Sequence, residues 1–419
     1  MRRRHAARAP QRSSAARLPP ELLLSIFSQL QQPNVPQIDH DVVAAHDFVS
    51  TVAAVPLVCA GWREAGYEAL YRFVDLTFKD ERSCTRFVKS LVKNPRLGSL
   101  VHGVALPRYD MPVYGRPSTH RGLVGWIGGG GGPTMDADRV HSEIIARCKP
   151  LEQIHFPADH TTRDIVDSGA LISLHSARVG FSSPTASTPN VCRIPVVPHL
   201  RHVTSLAIAL NDPADASRVY FLMGTENLVP PRLSSLSTLH LANLVMPVAQ
   251  WTSLLSSLRN SLKQLIVHSF MLALSQGDGR DLLLPEDLLP VAGTLEHLEV
   301  GTVLRSPGAL QVMPRLRQLS AFVAFPTVLP PPRSLPRVLQ YFRIVDDRRG
   351  GTASWAWPIA RFVHALLHDV ERPLNLERLE IETVVTDWTQ LRLWHIIAFC
   401  LHEMCSAADV VLSIDLRGA

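Results

Sequence analysis

The amino-acid sequence predicts an α/β protein in which a small all-helical module precedes an irregular solenoid of parallel strands and returning helices. Residues 18–76 contain short apolar segments with helical spacing. Beyond residue 77, a short apolar phrase with strand-like alternation recurs along the chain. The 32 prolines favour many short elements separated by turns over long helices. With 419 residues, 46% of them hydrophobic, the chain can bury a sizeable core.

Residues 1–17 form a basic tail. They contain no acidic residue, and their arginines are Arg2, Arg3, Arg4, Arg8, Arg12 and Arg17. Much of the formal net charge of +5 comes from this segment. The rest of the chain is nearly neutral and lacks the basic footprint of a nucleic-acid-binding domain. We expect a disordered tail, with a nuclear localisation signal and a mitochondrial presequence as the alternatives.

The cysteines and the hydropathy pattern indicate the compartment. Six cysteines are scattered without short paired spacing: Cys59, Cys84, Cys148, Cys192, Cys400 and Cys405. This pattern favours reduced thiols in an intracellular protein. The most apolar stretch, residues 42–59, is interrupted by His46, Asp47, Ser50 and Thr51, so it is too polar to span a membrane. We therefore expect a cytoplasmic or nuclear protein without a membrane partner.

The first helix is predicted to begin at Pro20. Proline fits the first helical turn because the N–H that it lacks would have no partner there, and Glu21 places a negative charge at the positive end of the helix dipole. The apolar residues that follow at i+3 and i+4 spacing are Leu22, Leu23, Ile26, Phe27 and Leu30. A helix of about three turns is unstable alone, so another element must cover this stripe.

Two further helical segments complete the N-terminal module. One is expected at residues 42–54 and ends before Pro56, and the next carries Val58, Trp62 and Ala65 on one face. Residues 67–76 are predicted to form a short helix that runs into a strand. Three short helices with broad apolar faces cannot bury all of their own surface, and an exposed patch of this kind indicates a protein partner.

These segments resemble an F-box, especially the F-box-like domains of mushroom-type fungi. The resemblance rests on Leu-Pro-Pro-Glu-Leu-Leu-Leu-Ser-Ile-Phe from Leu18 and on Val-Cys-Ala-Gly-Trp-Arg from Val58, followed by Ala-Leu-Tyr from Ala69. In that family, the matching residues build the surface that docks on a Skp-family adaptor. The resemblance therefore implies the same role for Leu18, Pro19, Leu22, Leu23, Ile26, Phe27, Val58, Cys59 and Trp62.

Two features depart from the family pattern. The spacer between the first helix and the Val-Cys segment is longer than in compact F-boxes and is expected to form a surface loop. Ala60-Gly61 replaces the charged or polar pair that usually separates the Cys from the Trp. The alternative interpretation of the module is an ordinary helical cap on the repeat domain, with Trp62 as a core residue.

Residues 77–419 are predicted to form a degenerate leucine-rich-repeat-like domain. The phrase apolar-x-x-apolar-x-apolar matches the Leu-x-x-Leu-x-Leu half of such a repeat, and its last two positions alternate as in a strand with one buried face. The copies are Leu151/Ile154/Phe156, Val203/Leu206/Ile208, Leu236/Leu239/Leu241, Leu262/Leu265/Val267, Leu295/Leu298/Val300, Leu316/Leu319/Ala321, Leu339/Phe342/Ile344 and Leu376/Leu379/Ile381. Residues 248–258, 282–291 and 357–370 are expected to be returning helices. Unrelated α/β units that share a common leucine spacing are the alternative.

No catalytic or cofactor-binding motif stands out, so we expect neither an enzyme nor a bound cofactor. The glycine run 128–132 lacks the Gly-Lys-Ser/Thr of a phosphate loop and is expected to be a surface loop, as is the Ser- and Pro-rich segment 182–189. His364 and His368 have the i, i+4 spacing of metal ligands but lack the glutamate of a zinc protease. Cys400 and His402 should point in nearly opposite directions on a helix. That helix is expected to be terminal and to pack Ile396, Ile397, Phe399 and Leu401.

Together these observations predict a binding protein. The resemblance implies a substrate-recruiting subunit of a cullin-type ubiquitin ligase, which binds a Skp-family adaptor through residues 18–76 and an unknown protein client through the repeat domain. The alternative is a leucine-rich-repeat interaction scaffold without a ligase, capped by the N-terminal helices.

Overall fold

A computed structural model describes residues 18–31, 62–76, 79, 81–106, 137–149, 151–157, 176–181, 203–210, 233–273, 279–280, 285–300, 310–322, 332–346, 356–368, 373, 375–385 and 387–418. The described residues belong to two compact units, of which the first ends at Ile154 and the second begins at His155. The predicted boundary between residues 76 and 77 stays a prediction.

The first unit combines short helices with short strands, of which β1 and β2 pair in parallel. Its elements are α1 (Pro20–Gln31), α2 (Arg63–Arg72), β1 (Phe73–Asp75), α3 (Glu81–Lys93), α4 (Pro95–Leu100), β2 (Gly103–Ala105), α5 (Ala137–Arg147) and β3 (Gln153–Pro157), within which the division into units falls. The predicted helix start at Pro20 is confirmed, and the N–H groups of Leu22 and Leu23 both donate to the carbonyl of Pro19 at 3.1 Å. The prediction of a helix that runs into a strand is confirmed by α2 and β1.

The second unit contains a sheet of parallel strands. They are β4 (Ser176–Phe181), β5 (Ser205–Leu210), β6 (Thr238–Pro247), β7 (Gln264–Ala273), β9 (His297–Val300), β10 (Gln318–Phe322), β11 (Tyr341–Asp346), β12 (Arg378–Val385) and β13 (Val411–Gly418), in this spatial order. A short strand, β8 (Gly279–Arg280), pairs antiparallel with β7. The coarse prediction of a mixed α/β fold with parallel strands and returning helices, as in a solenoid, is confirmed.

Helices connect the strands of the second unit. They are α6 (Val248–Ser257), α7 (Ala356–His368), α8 (Trp388–Ala407) and the 3-10 helices Pro285–Val291 and Pro332–Ser334. They pack on the apolar side of the sheet: the rings of Phe342 on β11 and Phe362 on α7 lie 5.6 Å apart. Trp251 on α6 is fully buried, and its Nε1–H donates to the carbonyl of Asp287 at 3.1 Å. The predicted returning helices are thus present, although the one expected at 282–291 is a 3-10 helix from Pro285.

The predicted apolar phrase coincides with the strands. Leu239, Leu265, Leu298, Phe342 and their equivalents lie side by side in the register of successive strands, without a slip. The last two positions of each phrase are almost completely buried wherever their side chains are described; Ala321, at 7% exposure, is the least covered. Residues that alternate along a strand point to opposite faces, so the phrase defines the core face of the sheet.

A repeated hydrogen-bond pattern holds each turn before a strand. The N–H groups of Lys263 and Gln264 both donate to the carbonyl of Ser237, at 2.8 and 2.9 Å. The carbonyl of Lys263 in turn accepts from Glu296 and His297, at 2.8 and 2.9 Å. The same pairing continues through the carbonyls of Glu296, Arg317 and Gln340. It satisfies the backbone groups of the turn in which the leading leucine is buried.

Two parts of the sequence interpretation need correction. The helix expected to be terminal, α8, is followed by β13, and of the four residues expected to pack, Ile397 and Leu401 are buried whereas Ile396 and Phe399 are 63% and 69% exposed. The copy of the phrase at β2 and the strand β13 were missed. Val101, Val104 and Leu106 at β2 are all buried, with the spacing of the phrase.

Several predictions lie outside the described residues: the tail 1–17, the second helix 42–54, and the loops 128–132 and 182–189. Within the described ranges, no helix is long and apolar enough to cross a membrane.

Candidate partner-binding surfaces

The pairing of α1 with α2 forms the small core of the N-terminal module. Leu23 of α1 is 1% exposed and packs with Ala65 and Ala69 of α2. The partly buried side chains around this cluster are Leu18, Leu24, Trp62 and Leu70. Small alanines on α2 let the two helices approach closely, so the side of α1 that carries Leu23 is buried within the module itself.

A second face of α1 remains uncovered. Leu22 and Ile26 are 52% and 46% exposed, and they are neighbours on the helix surface because they are four residues apart. Pro19, just before the helix, is exposed as well. We call Pro19, Leu22 and Ile26 the α1 outer face. Two large aliphatic side chains half open to solvent, adjacent on one short helix, provide apolar area that a partner would bury.

The predicted docking residues therefore differ in their exposure to solvent. Those on the α1 outer face are exposed, whereas Leu18 and Trp62 are half-buried beside the small core and Leu23 lies within it. Phe27 lies on α1, but its side chain is outside the described part of the chain, as are Val58 and Cys59. Their role in binding an adaptor stays a prediction.

Sequence reasoning missed two tyrosines on α2. Tyr67 is 43% exposed, and its ring centroid lies 6.4 Å from that of Tyr71, one turn further along the helix. Nearby on the same helix, Glu64 forms an exposed ion pair with Arg96 of α4. Tyrosine is enriched at protein interfaces, so these rings add to the surface that the module offers. The Tyr-Glu-Ala-Leu-Tyr spacing was the signal that could have revealed them.

The second unit carries a charged cluster on the sheet face opposite the core. Arg343 of β11 forms ion pairs with Glu382 and, at 3.6 Å between Nε and Oε1, with Glu380, both on β12. Arg417 of β13 reaches the other oxygen of Glu382 at 2.7 Å. We call Tyr341, Arg343, Glu380, Glu382 and Arg417 the charged strand face. The side chain of Glu382 is only 6% exposed, so its two arginine partners hold a nearly buried carboxylate.

The surroundings shift the pKa values of two groups on this face, Arg343 and Tyr341. Burial opposes the charge of Arg343, but the hydrogen bond and the charge of Glu382 outweigh it and raise the pKa of Arg343. The hydroxyl of Tyr341 donates to Oε2 of Glu380 at 2.9 Å. Burial and this hydrogen bond to a carboxylate raise the pKa of Tyr341 to about 12. Arg343 therefore stays charged and Tyr341 stays a neutral phenol at neutral pH.

A histidine group adjoins it on β7 and β9. Nε2 of His268 lies 3.0 Å from Oε1 of Glu299, and Nε2 of His297 lies 4.0 Å from Oε2. Burial alone would raise the pKa of Glu299, but the hydrogen bond with His268 and the nearby positive charges lower it. Burial lowers the pKa of His297, and Arg343 adds to this effect while Glu299 opposes it.

Metal-binding geometry is not formed by the described side chains. The rings of His364 and His368 are 4.5 Å apart on α7, and both residues are exposed. On α8, Cys400 is exposed whereas Cys405 is buried, and burial raises the pKa of Cys405 to about 11. Across the described ranges, no group of three or more His, Cys, Asp or Glu side chains is placed to hold a metal ion.

In comparisons with known proteins, no family model matches the chain and no curated protein sequence matches it. The resemblance to F-box domains therefore stays a prediction from the residues of the N-terminal module.

Proposed function

We propose that this protein is a substrate-recruiting adaptor of a cullin-type ubiquitin ligase. The observation that carries the proposal is the division of α1, in which Leu23 is buried against α2 while Leu22 and Ile26 stay half exposed on the α1 outer face. A helix that uses one side for its own core and leaves a second apolar side open has the form that docking on a Skp-family adaptor requires.

In this proposal, the second unit presents a protein client. Its leucine-rich-repeat-like strands fix the charged strand face on a rigid sheet, and pre-organised charges give specificity in protein recognition. The mechanism is one of geometry: holding a client beside the ubiquitin that is to be transferred raises its effective concentration, without covalent chemistry by this chain.

Co-purification with a fungal Skp-family adaptor tests the proposal. The double variant Leu22→Ala/Ile26→Ala removes the two exposed anchors, and each anchor contributes roughly 1.5–3 kcal/mol when it is fully buried. We expect a stoichiometric complex with the wild type and none with this variant. Val92→Ala on α3 is the matched control, since Val92 is 51% exposed on another helix and should leave binding intact. Undiminished binding by the double variant would refute the assignment of this surface.

The alternative function, a repeat scaffold with a helical cap, is favoured by one observation. β1 follows α2 directly and pairs in parallel with β2, and the N–H of Leu76 donates to the carbonyl of Ala105 at 2.9 Å. The module thus continues into the sheet of the first unit. Deleting residues 18–76 distinguishes the two functions: a cap predicts an aggregated remainder, and an adaptor predicts a folded one that has lost only the Skp-family partner.

A further inference from the structure

Among the described strands, β13 has the least covered apolar side chains on the core side of the second unit's sheet. In the described part of the chain, β13 pairs with β12 alone, at the end of the strand order. Leu412, Ile414 and Leu416 of β13 are half-buried, whereas Leu379 and Ile381, their neighbours on β12, are 0% exposed. A terminal strand of a stacked fold needs a cover for its apolar side chains.

The backbone of β13 also presents N–H and C=O groups that no other described strand pairs with. The N–H of Val411 donates to the carbonyl of Glu377, so this residue points its backbone groups towards β12. Backbone groups alternate along a strand, and those of Leu412, Ile414 and Leu416 therefore point away from β12. The same residues that carry the half-covered apolar side chains thus carry these N–H and C=O groups. Such an edge is a template for another strand.

We propose that a second copy of this chain covers β13, by antiparallel pairing of the two β13 strands across a two-fold axis at Ile414. The segment Leu412-Ser413-Ile414-Asp415-Leu416 has the same apolar pattern in both directions. Pairing about Ile414 sets Ile414 opposite its own copy and Leu412 opposite Leu416. All three are residues whose N–H and C=O point outward, so each pair can exchange both hydrogen bonds.

The polar face of β13 is compatible with a second copy as the occupant. On the polar face, this register sets Ser413 opposite Asp415 and Val411 opposite Arg417, so no like charges are opposed. Arg417 keeps its contacts with Glu382 and Asp415, at 2.7 and 3.2 Å. A register with its axis at Leu416 would set Ile414 opposite Gly418 and give up apolar contact. The contact is self-complementary and closes at a dimer, which leaves no strand edge at this end.

Sedimentation of the full chain over a concentration series tests the proposal. We expect a monomer–dimer equilibrium that Ile414→Pro abolishes. This substitution removes an N–H that faces away from β12, so the pairing within the chain keeps its hydrogen bonds. Circular dichroism and the unfolding midpoint of the variant report whether its fold is retained.

A charge pair of variants at Ser413 serves as a second test that does not depend on proline. Ser413→Asp places two like-charge pairs across the interface and should weaken the dimer, whereas Ser413→Lys should strengthen it, each roughly fivefold. Ile414→Cys should yield a disulfide-linked dimer on oxidation, because directly opposed Cα atoms lie about 5.5 Å apart in such a pair. Leu416→Cys should not.

Two outcomes would overturn the inference. One is a monomer at the highest attainable concentration. The other is a dimer that none of the Ile414 and Ser413 variants alters, since its interface would then lie elsewhere. Cross-linking through Leu416→Cys instead of Ile414→Cys would overturn the register with its axis at Ile414.

Discussion

Leucine side chains are buried to different degrees in two regions: the strand ladder of the second unit (the core-face side chains of β5 to β12, stacked on one another) and the α1–α2 pair of the first unit. In the ladder, Leu239, Leu265 and Leu298 are each 0% exposed, because identical positions of neighbouring strands stack on one another. In the helix pair, Leu23 is 1% exposed while its neighbour Leu22 is 52% exposed. The stacked strands bury the apolar positions of the phrase, whereas the helix pair leaves Leu22 and Ile26 half exposed.

The largest loss of stability should come from truncating a buried side chain of the strand ladder. Leu298→Ala leaves a cavity among stacked side chains and should lower the free energy of unfolding by about 2–5 kcal/mol. Leu22→Ala, a change of the same chemistry on the α1 outer face, should lower it by less than about 0.5 kcal/mol. Urea unfolding of both variants checks the comparison. Equal losses would show that the two regions bury their leucines alike.

Two glycines, Gly98 and Gly293, extend the comparison of packing. Gly98 shows that the first unit also has a tightly packed part. A Cβ on Gly98 of α4 would lie 2.3 Å from the carbonyl oxygen of Arg147, whereas a Cβ on Gly293 would meet nothing within 4 Å. Gly98→Ala should therefore destabilise the protein by about 1–3 kcal/mol, as overpacking does. Gly293→Ala should be neutral. Thermal unfolding measures both, and an unchanged midpoint for Gly98→Ala would contradict this packing.

A smaller effect is expected on the polar side of the ladder. Glu382→Gln leaves Arg343 and Arg417 without the carboxylate that they share, and should cost about 1–2 kcal/mol after allowance for solvent screening of Arg417. Glu296→Gln is the control: its ion pair with Lys263, at 3.4 Å, is 45% exposed on the Glu side, and its loss should cost less than about 0.5 kcal/mol. Chemical denaturation at low salt separates the two results.

The smallest effect concerns pH. The pKa of His297 is lowered in the folded state from its ordinary value of 6.5, so the unfolded chain binds more protons just below that pH and stability falls on acidification. The pKa of Glu299 is lowered from 4.5, and the stability that it contributes above that pH is lost as the pH falls through the folded-state pKa. His297→Gln should remove the first decline and keep the second. A denaturation series from pH 8 to pH 3 tests this, and a variant whose pH profile matches the wild type would contradict it.

The strand ladder was predictable from the sequence, because the alternation of apolar residues along each strand determines which side chains are buried. An apolar residue at the second and third positions of the phrase is buried whatever the connector does, as Leu298 and Val300 illustrate. The copy at β2 was missed, although Val101, Val104 and Leu106 have the spacing of the phrase. For α8, apolar residues surround the helix, so contact with α7 and β13 decides that Ile397 is buried and Ile396 is exposed.

The candidate surfaces were less accessible to sequence reasoning. Adjacent leucines give no indication of which one faces α2, so the sets around Leu22 and Leu23 were predicted together. Arg343, Glu382 and Arg417 are far apart in the chain, and only the strand register brings them together. Aligning the copies of the phrase would have exposed the charges between their apolar positions.

The slip-free register has a consequence for insertion tolerance. Leu298 and Leu319 are adjacent in the sheet and 21 positions apart in the chain, while Phe342 and Leu379 are equally adjacent and 37 positions apart. The length of a connector is thus decoupled from the alignment of the strands that it joins, and lengthening a loop costs little entropy. The connectors between the strands can therefore accept added segments, such as peptide tags or grafted loops, while neighbouring strands keep their register.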